Sequence, residues 1–462
     1  MSLTPPAHAA RSVLDPTRLA FLTAREEQRF LADRPRSLAL LDRARAHMPG
    51  GVPMAWMTAM HGHPPIFAAD GAGAWFTDID GHRYLDMNQA DLSMNVGFGP
   101  PGVVAAVADR MRRGSQFMLP TEDAVWCAEE LADRWDMPYW QFTLSASGAN
   151  AEIIRLARHV SGRDKILMFD GKYHGHIEDS LVTMAEDGVK PELYGLTSAA
   201  AARARMVPFN DLEATERALM SRDVALCLVE PALTNVGVVM PAEGFHAGLR
   251  EITKHYGTFL ALDETHTQIA SPGGLKRLWK LEADAIALGK TIGGGVPIGA
   301  YGLSEALAQP LKNPPVMPGA PMESVGGVAT GGTLYGNALS MAACRAALSQ
   351  VLTPQGYVRT ARLGAQLADG LAGLFAAASL DWQVHRLTSR SGFTFAGHLP
   401  RNAAEARALA QPALYRLLRL WMANRGVWEA VATAGPTVSF AMAEAEVAFY
   451  LERMREFLAD IL

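Results

Sequence analysis

The chain has little of what would take it out of the ordinary run of large globular proteins. Only three of its 462 residues are cysteine, and Cys127, Cys227 and Cys344 lie scattered in apolar or helical contexts. That excludes a disulfide framework or a zinc framework and predicts reduced core thiols. No apolar run is long enough to span a bilayer. The opening MSLTPPAHAARSVLDPTR lacks the apolar core of a secretory signal. Net charge is −5 with pI near 6.2, so no basic field invites nucleic acid or anionic lipid. Repeats and low-complexity tracts are absent. The expectation is a soluble cytoplasmic protein with no nucleic-acid or membrane partner, and about half its residues are apolar, enough for roughly two domains.

What is there begins with two charged groups at the ends of two short apolar runs. Thr258 to Leu262 ends in Asp263-Glu264, and Asp284 to Leu288 ends in Gly289-Lys290 and a glycine-rich turn. Both runs are short and bounded by breakers, so they predict buried strands. Each then delivers an ionisable residue to its C-terminal end, where open α/β sheets place ligands. The 27 residues from Asp263 to Lys290 suffice for a crossover into the same sheet. A carboxylate and an amine so placed suit pyridoxal phosphate (PLP), which needs a lysine for its Schiff base and an anion to keep its ring nitrogen protonated.

Taken in order, residues 1 to about 16 read as loosely ordered, and Pro16 to about Met48 as two amphipathic helices stopped by Pro49-Gly50-Gly51-Val52-Pro53. A Met- and aromatic-rich loop follows, Met54 to Met60. Asp80-Gly81 then marks a hairpin in GAWFTDIDGHRYLDM. From about Gly97 strands (Trp140 to Leu144, Lys165 to Phe169, Val224 to Val229) alternate with helices such as Ala149 to Val160, which predicts a mostly parallel sheet covered on both faces. A long helix follows Asn337. Gly356 to Leu462, with strands expected at Ser391 to Phe395 and Thr437 to Phe440, reads as a smaller α+β unit completed by the N-terminal segment.

Two further stretches suit a phosphate ester with an aromatic ring. Ser145-Ala146-Ser147-Gly148 lies between a strand and a helix, where backbone N–H groups bind phosphate; an ordinary turn has the same composition. Tyr173-His174-Gly175-His176 offers an aromatic to stack on the ring. No ligand set completes a metal site around its two histidines, and His176 reads as a loop residue.

Together these residues resemble the class III, PLP-dependent aminotransferases of fold type I, in the branch similar to glutamate-1-semialdehyde aminomutase. The resemblance runs from Pro49-Gly50-Gly51-Val52 nearly to the C-terminus. Its markers are DIDGHRYLD, SASGANAEIIRLAR, GKYHGH, VEPALTNVGVVMP, LDETHTQ, LGKTIGGGVPIGAYG and GGTLYGNALSMAA. It implies an α/β large domain with a mostly parallel, seven-stranded type of sheet over residues 96–345. It also implies a small α+β domain from 346–462, completed by residues 1–95.

The resemblance also implies roles. Lys290 would carry PLP, Asp263 would pair with its ring nitrogen, and Ser145, Ala146 and Ser147 would cradle its phosphate. Tyr173 would stack on one ring face and Thr265 on the other, with His174 and Glu230 ordering the site. Thr333 would reach the cofactor of a second subunit, because this family shares its sites across a homodimer. The activity implied is ping-pong transamination between a small-molecule amino donor and a carbonyl acceptor. A PLP-dependent 2,1-aminomutase is the alternative, and a non-catalytic PLP-fold protein the third reading.

Several positions depart from the family pattern. Gly148 stands where the phosphate turn usually has Glu, Thr265 where the family has Val, and Gln268-Ile269-Ala270 where Gly-Phe-Arg often follows. Relatives carry an arginine for a substrate carboxylate after Pro-Gly-Gly-Val, but Pro53 to Met60 contains no cation. Met54, Trp56 and Met57 therefore become candidates for an apolar or aromatic substrate pocket, or else core filling under a loop. Arg386 and Arg390 read as surface charges that could hold a displaced carboxylate. Glu429 falls where relatives have loop residues at the entrance, able to meet a cationic substrate.

Overall fold

The computed structural model describes residues 15–59, 62–186, 188–315, 328, 330–431 and 435–462; Met60 and the first fourteen residues lie outside them. At its centre is a seven-stranded sheet. Across it run Tyr139–Thr143, Gly299–Leu303, Ala285–Gly289, Phe259–Asp263, Val224–Val229, Lys165–Phe169 and Ala204–Val207. Every neighbouring pair is parallel except those of Gly299–Leu303, which runs antiparallel to both its neighbours. That strand, GAYGL, directly follows the glycine-rich turn.

Side-chain alternation gives the central strands two faces. Ala285 and Ala287 cluster with Ala149, Ile153 and Ala157 of the Ala146–Ser161 helix. Ile286 and Leu288 turn the other way, against Leu131, Met341 and Cys344 of two further helices. Val224–Val229 is buried at every position, as a strand covered on both faces must be. All three cysteines are buried.

The expected elements form with small shifts at their ends. The two N-terminal helices are Pro16–Ala32 and Pro35–Arg45, and Trp75–Asp78 pairs antiparallel with Arg83–Asp86 across Asp80-Gly81. Ser391 to Phe395 appears as Arg390–Thr394. Thr437 to Phe440 is not a strand; a single bridge joins Thr437 to Arg390. The C-terminal region packs on residues from the chain's beginning. One apolar cluster joins Leu22 and Leu85 to Leu363, Leu417, Trp421 and Phe457.

Candidate active site

Strand register sets the site. Asp263 closes its strand opposite Ala287 of the parallel neighbour, and Lys290 follows three residues later. Both side chains reach a cavity of about 580 Å³ beyond the C-terminal ends of these strands. Asp263 is 3 % exposed. Its Oδ2 accepts from Asn150 Nδ2 at 2.8 Å and His174 Nδ1 at 2.9 Å, and its Oδ1 accepts from the Thr265 backbone N–H at 3.0 Å. Burial alone would favour the neutral acid, but the His174 hydrogen bond and charge, with those from Thr265 and Asn150, outweigh it and hold this carboxyl down to about 2. It is a permanent anion at the cavity floor.

At the opposite wall the Ala146–Ser161 helix points its N-terminus into the cavity, with Ser145 as N-cap accepting from the Gly148 N–H. Ser147 Oγ accepts the His176 N–H at 3.1 Å, which staples the Tyr173–His176 loop onto this turn. The approach is close enough to require glycine: a Cβ on Gly175, whose φ is +95°, would stand 2.3 Å from Ser147 Oγ. Gly148 has a physical reason as well. A Cβ there would meet Tyr335 Oη at 2.9 Å and Thr143 Cβ at 3.2 Å, so the glutamate the family usually carries would require Tyr335 to shift. Gln268, beside the missing arginine, donates to the carbonyls of Thr265 and Gly289 and so ties the two strand ends together.

Lys290 has neighbours the sequence did not point to. Its Nζ donates to the Asp91 backbone oxygen at 3.0 Å and to Asp91 Oδ2, and lies 2.7 Å from His266 Nε2. Burial opposes ionisation of Asp91, yet the charges of Lys290 and His266 hold its carboxyl well below the usual range. Asp91 sits in a run of four consecutive residues with positive φ, Gln89 to Leu92. Such a conformation costs L-residues about 1–2 kcal/mol each, and strain of this kind gathers at functional sites. The run is clamped: Asp86 accepts the Asn88 and Gln89 N–H groups, Asn95 donates to Gln89, and Thr291 donates to the Leu92 carbonyl. Glycine would have signalled such a turn; Gln-Ala-Asp-Leu does not.

The remaining candidates divide. Tyr173 lines the cavity with Trp56 5.4 Å away ring to ring. Met54, Trp56 and Met57 are 48 %, 41 % and 42 % exposed at its mouth, so they are not core filling. Glu230 lines the cavity and accepts from Thr234, from Asn235 and from the Tyr173 N–H. Thr333 is exposed and does not line this cavity. Glu429 is not at the entrance: it is 2 % exposed, with Tyr450 Oη donating to it at 2.7 Å in the interior of the C-terminal region. Arg390 is not on the surface, being 1 % exposed with Nη2 donating to the Thr234 carbonyl, whereas Arg386 pairs with Asp369 on the surface.

These residues fit pyridoxal phosphate. A buried anion stands ready for a ring nitrogen, and a glycine-cleared helix N-terminus for a phosphate. An amine lies between them, and the Thr265 hydroxyl in the cavity wall finds no protein partner among the described residues. Comparison with known proteins agrees. The family model "Aminotransferase class-III" matches residues 57–428. The glutamate-1-semialdehyde 2,1-aminomutase of Myxococcus xanthus is 34 % identical over 91 % of this chain and 97 % of its own length; that of Chloroflexus aggregans is 35 % identical over 85 % and 90 %. The crystal structure of a glutamate-1-semialdehyde-aminomutase from Pseudomonas aeruginosa PAO1 in complex with PMP superposes with TM-score 0.91 at 38 % identity, covering 97 % of this chain and all of that one. An omega-transaminase from Sphaerobacter thermophilus gives TM-score 0.84 at 29 % identity, covering 92 % and 97 %. The named relatives thus weigh toward the isomerase alternative over transamination. The chain belongs to the class III aminotransferase family of PLP-dependent enzymes, with the α/β architecture of fold type I.

Proposed function

We propose that this chain is an aminomutase, moving an amino group between neighbouring carbons of one small substrate. The carrying observation is the meeting of Lys290 and Asp263 at adjacent strand ends over one cavity, in a chain so similar to aminomutases along nearly its whole length. When bound, PLP supplies an electron sink for the bond electrons released at the substrate carbon. The protein does the rest. Asp263, fixed by Asn150 and His174, keeps a proton on the ring nitrogen side. Ser145, Ala146 and Ser147 anchor the phosphate, Tyr173 and Thr265 bracket the ring, and Glu230 orders the edge between them. Lys290 is the covalent attachment point and then the base that carries a proton from one carbon to the next.

The substrate differs from glutamate 1-semialdehyde in how it is held. No arginine stands among the described residues lining the cavity, whereas Asp91, Glu230 and Asp263 do, with Met54, Trp56 and Met57 at the mouth. A buried substrate carboxylate would lack a bidentate partner and face like charge. An apolar or aromatic amine without an α-carboxylate fits better. This same feature favours transamination as the second reading. Single-substrate incubation separates the two: a mutase returns an isomer with no acceptor, and a transaminase stops after one equivalent of released carbonyl product.

A second copy of the chain completes the proposal. Phe117, Met118, Leu119 and Leu334 are all exposed beside Thr333, whose carbonyl Gln116 holds. An apolar patch of this kind seeks a partner surface, and in a homodimer Thr333 would face the other subunit's phosphate. The division at 1–95, 96–345 and 346–462 is proposed with it. Sedimentation as a monomer with full PLP binding would remove the shared-site part.

A further inference from the structure

The hydrogen bonds beyond Lys290 form a chain with fixed direction. Glu230 Oε2 accepts from the Thr234 hydroxyl. Having given its only proton there, the Thr234 oxygen accepts from His266 Nδ1, 2.8 Å away. The ring's other nitrogen, Nε2, is thereby left as a lone pair, and it points at Lys290 Nζ at 2.7 Å. His266 is 8 % exposed, so no water competes freely for that lone pair. Asp91 Oδ2 lies 3.7 Å from the same nitrogen and also binds Lys290.

We propose that His266 is the proton-holding and positioning residue for Lys290. It takes at Nε2 the proton the lysine must give up before its amine can attack, and keeps it while the displaced lysine works as a neutral amine. In the step, an N–H bond at Nζ breaks and one at Nε2 forms, giving a neutral amine and an imidazolium protonated on both nitrogens. Asp91 balances the positive charge in either position, so the net charge of the three groups does not change. The inference rests on Lys290 being the PLP attachment point.

The groups facing His266 are Lys290 and Asp91 on one side, Thr234 with Glu230 behind it on the other, and the charge of Arg390 from the small unit. Burial first, then the charge of Lys290, keep His266 below its ordinary value, so it stays a neutral acceptor while the lysine is protonated. The lysine's part in that vanishes as the proton crosses.

The test is the rate at which apoenzyme captures added PLP covalently, read from the visible band and from cofactor retained after borohydride reduction, across pH. His266→Gln and His266→Leu are expected to move the half-maximal pH up by about one unit or more, with capture at neutral pH about tenfold slower and the alkaline plateau preserved. Thr234→Val should shift the profile the same way by less. Asp91→Asn should shift it down, because an anion that favours the ammonium form is gone. Profiles for the His266 variants that coincide with wild type, or that fall equally at every pH, would overturn the proposal. Should His266→Leu fail to fold, His266→Gln decides. Wild-type protein that never develops a band would instead remove the PLP reading beneath it.

Discussion

Asn150 reaches from the first turns of its helix to Asp263, placing Nδ2 2.8 Å from one carboxylate oxygen while also donating to the His174 carbonyl at 3.0 Å. One amide thus fixes both the anion and the histidine that supports it. Hydrogen bonds to charged groups contribute about 1.5–3 kcal/mol. Asn150→Ala should therefore raise the Asp263 carboxyl from about 2 and weaken PLP binding on the order of tenfold, measured by titrating apoenzyme with cofactor. Because this carboxyl lies below its ordinary 3.8, its contribution to stability is present above that value and is lost as pH falls through about 2.

Gly175→Ala should be costly out of proportion to one methyl group. The new Cβ would meet Ser147 Oγ at 2.3 Å from a residue with φ +95°, displacing the phosphate turn itself. We expect a stability loss of about 1–3 kcal/mol, seen as a lower Tm, with a larger proportional loss of PLP affinity.

Glu429 gives a stability signal with the opposite sign to Asp263. Burial pushes its carboxyl up to about 7 from 4.5, against the hydrogen bonds from Tyr450 and Ala430. Its stabilising effect is complete below 4.5 and declines as pH rises through about 7. Glu429→Gln keeps an acceptor for Tyr450 and should remove up to about 3 kcal/mol of that decline, flattening the denaturant-midpoint profile between those values. An unchanged slope would show the carboxylate to be solvated.

Met57→Arg should alter substrate choice more than rate. It places a guanidinium at the mouth of a cavity whose described lining holds no arginine. Donors bearing a carboxylate should gain about tenfold or more in kcat/KM, with apolar amines losing some. Lys290→Ala, by contrast, should nearly abolish turnover on every donor.

The parts of this molecule legible in its sequence are those written locally. Runs such as residues 259–262 and 285–288 are uniformly apolar because both faces are covered, and Asp263 and Lys290 stand at or just beyond their ends. What the sequence hid was made by tertiary contact. GAYGL joins the sheet because two neighbouring edges, not its own composition, hold it there. Asp91 meets Lys290 only because four non-glycine residues are forced left-handed by clamps from Asp86, Asn95 and Thr291. His266 reads as a polar residue after a strand until Thr234 is seen to fix its proton. Glu429 reads as an entrance charge and Arg390 as a surface charge because burial of a charge leaves no local trace.

The helix Pro16–Ala32 lies against Pro412–Ala423, with Arg25 bonded to Asp460 and Glu26 to Arg425. Pro16–Ala32 is made long before Pro412–Ala423 and cannot seat against it until that later helix has been added. Synthesis thus leaves the apolar side of that helix uncovered while the strands of the seven-stranded sheet are made, and the sheet is free to close first. Asp460→Ala should accordingly loosen a helix 435 residues away, because it removes a partner of Arg25.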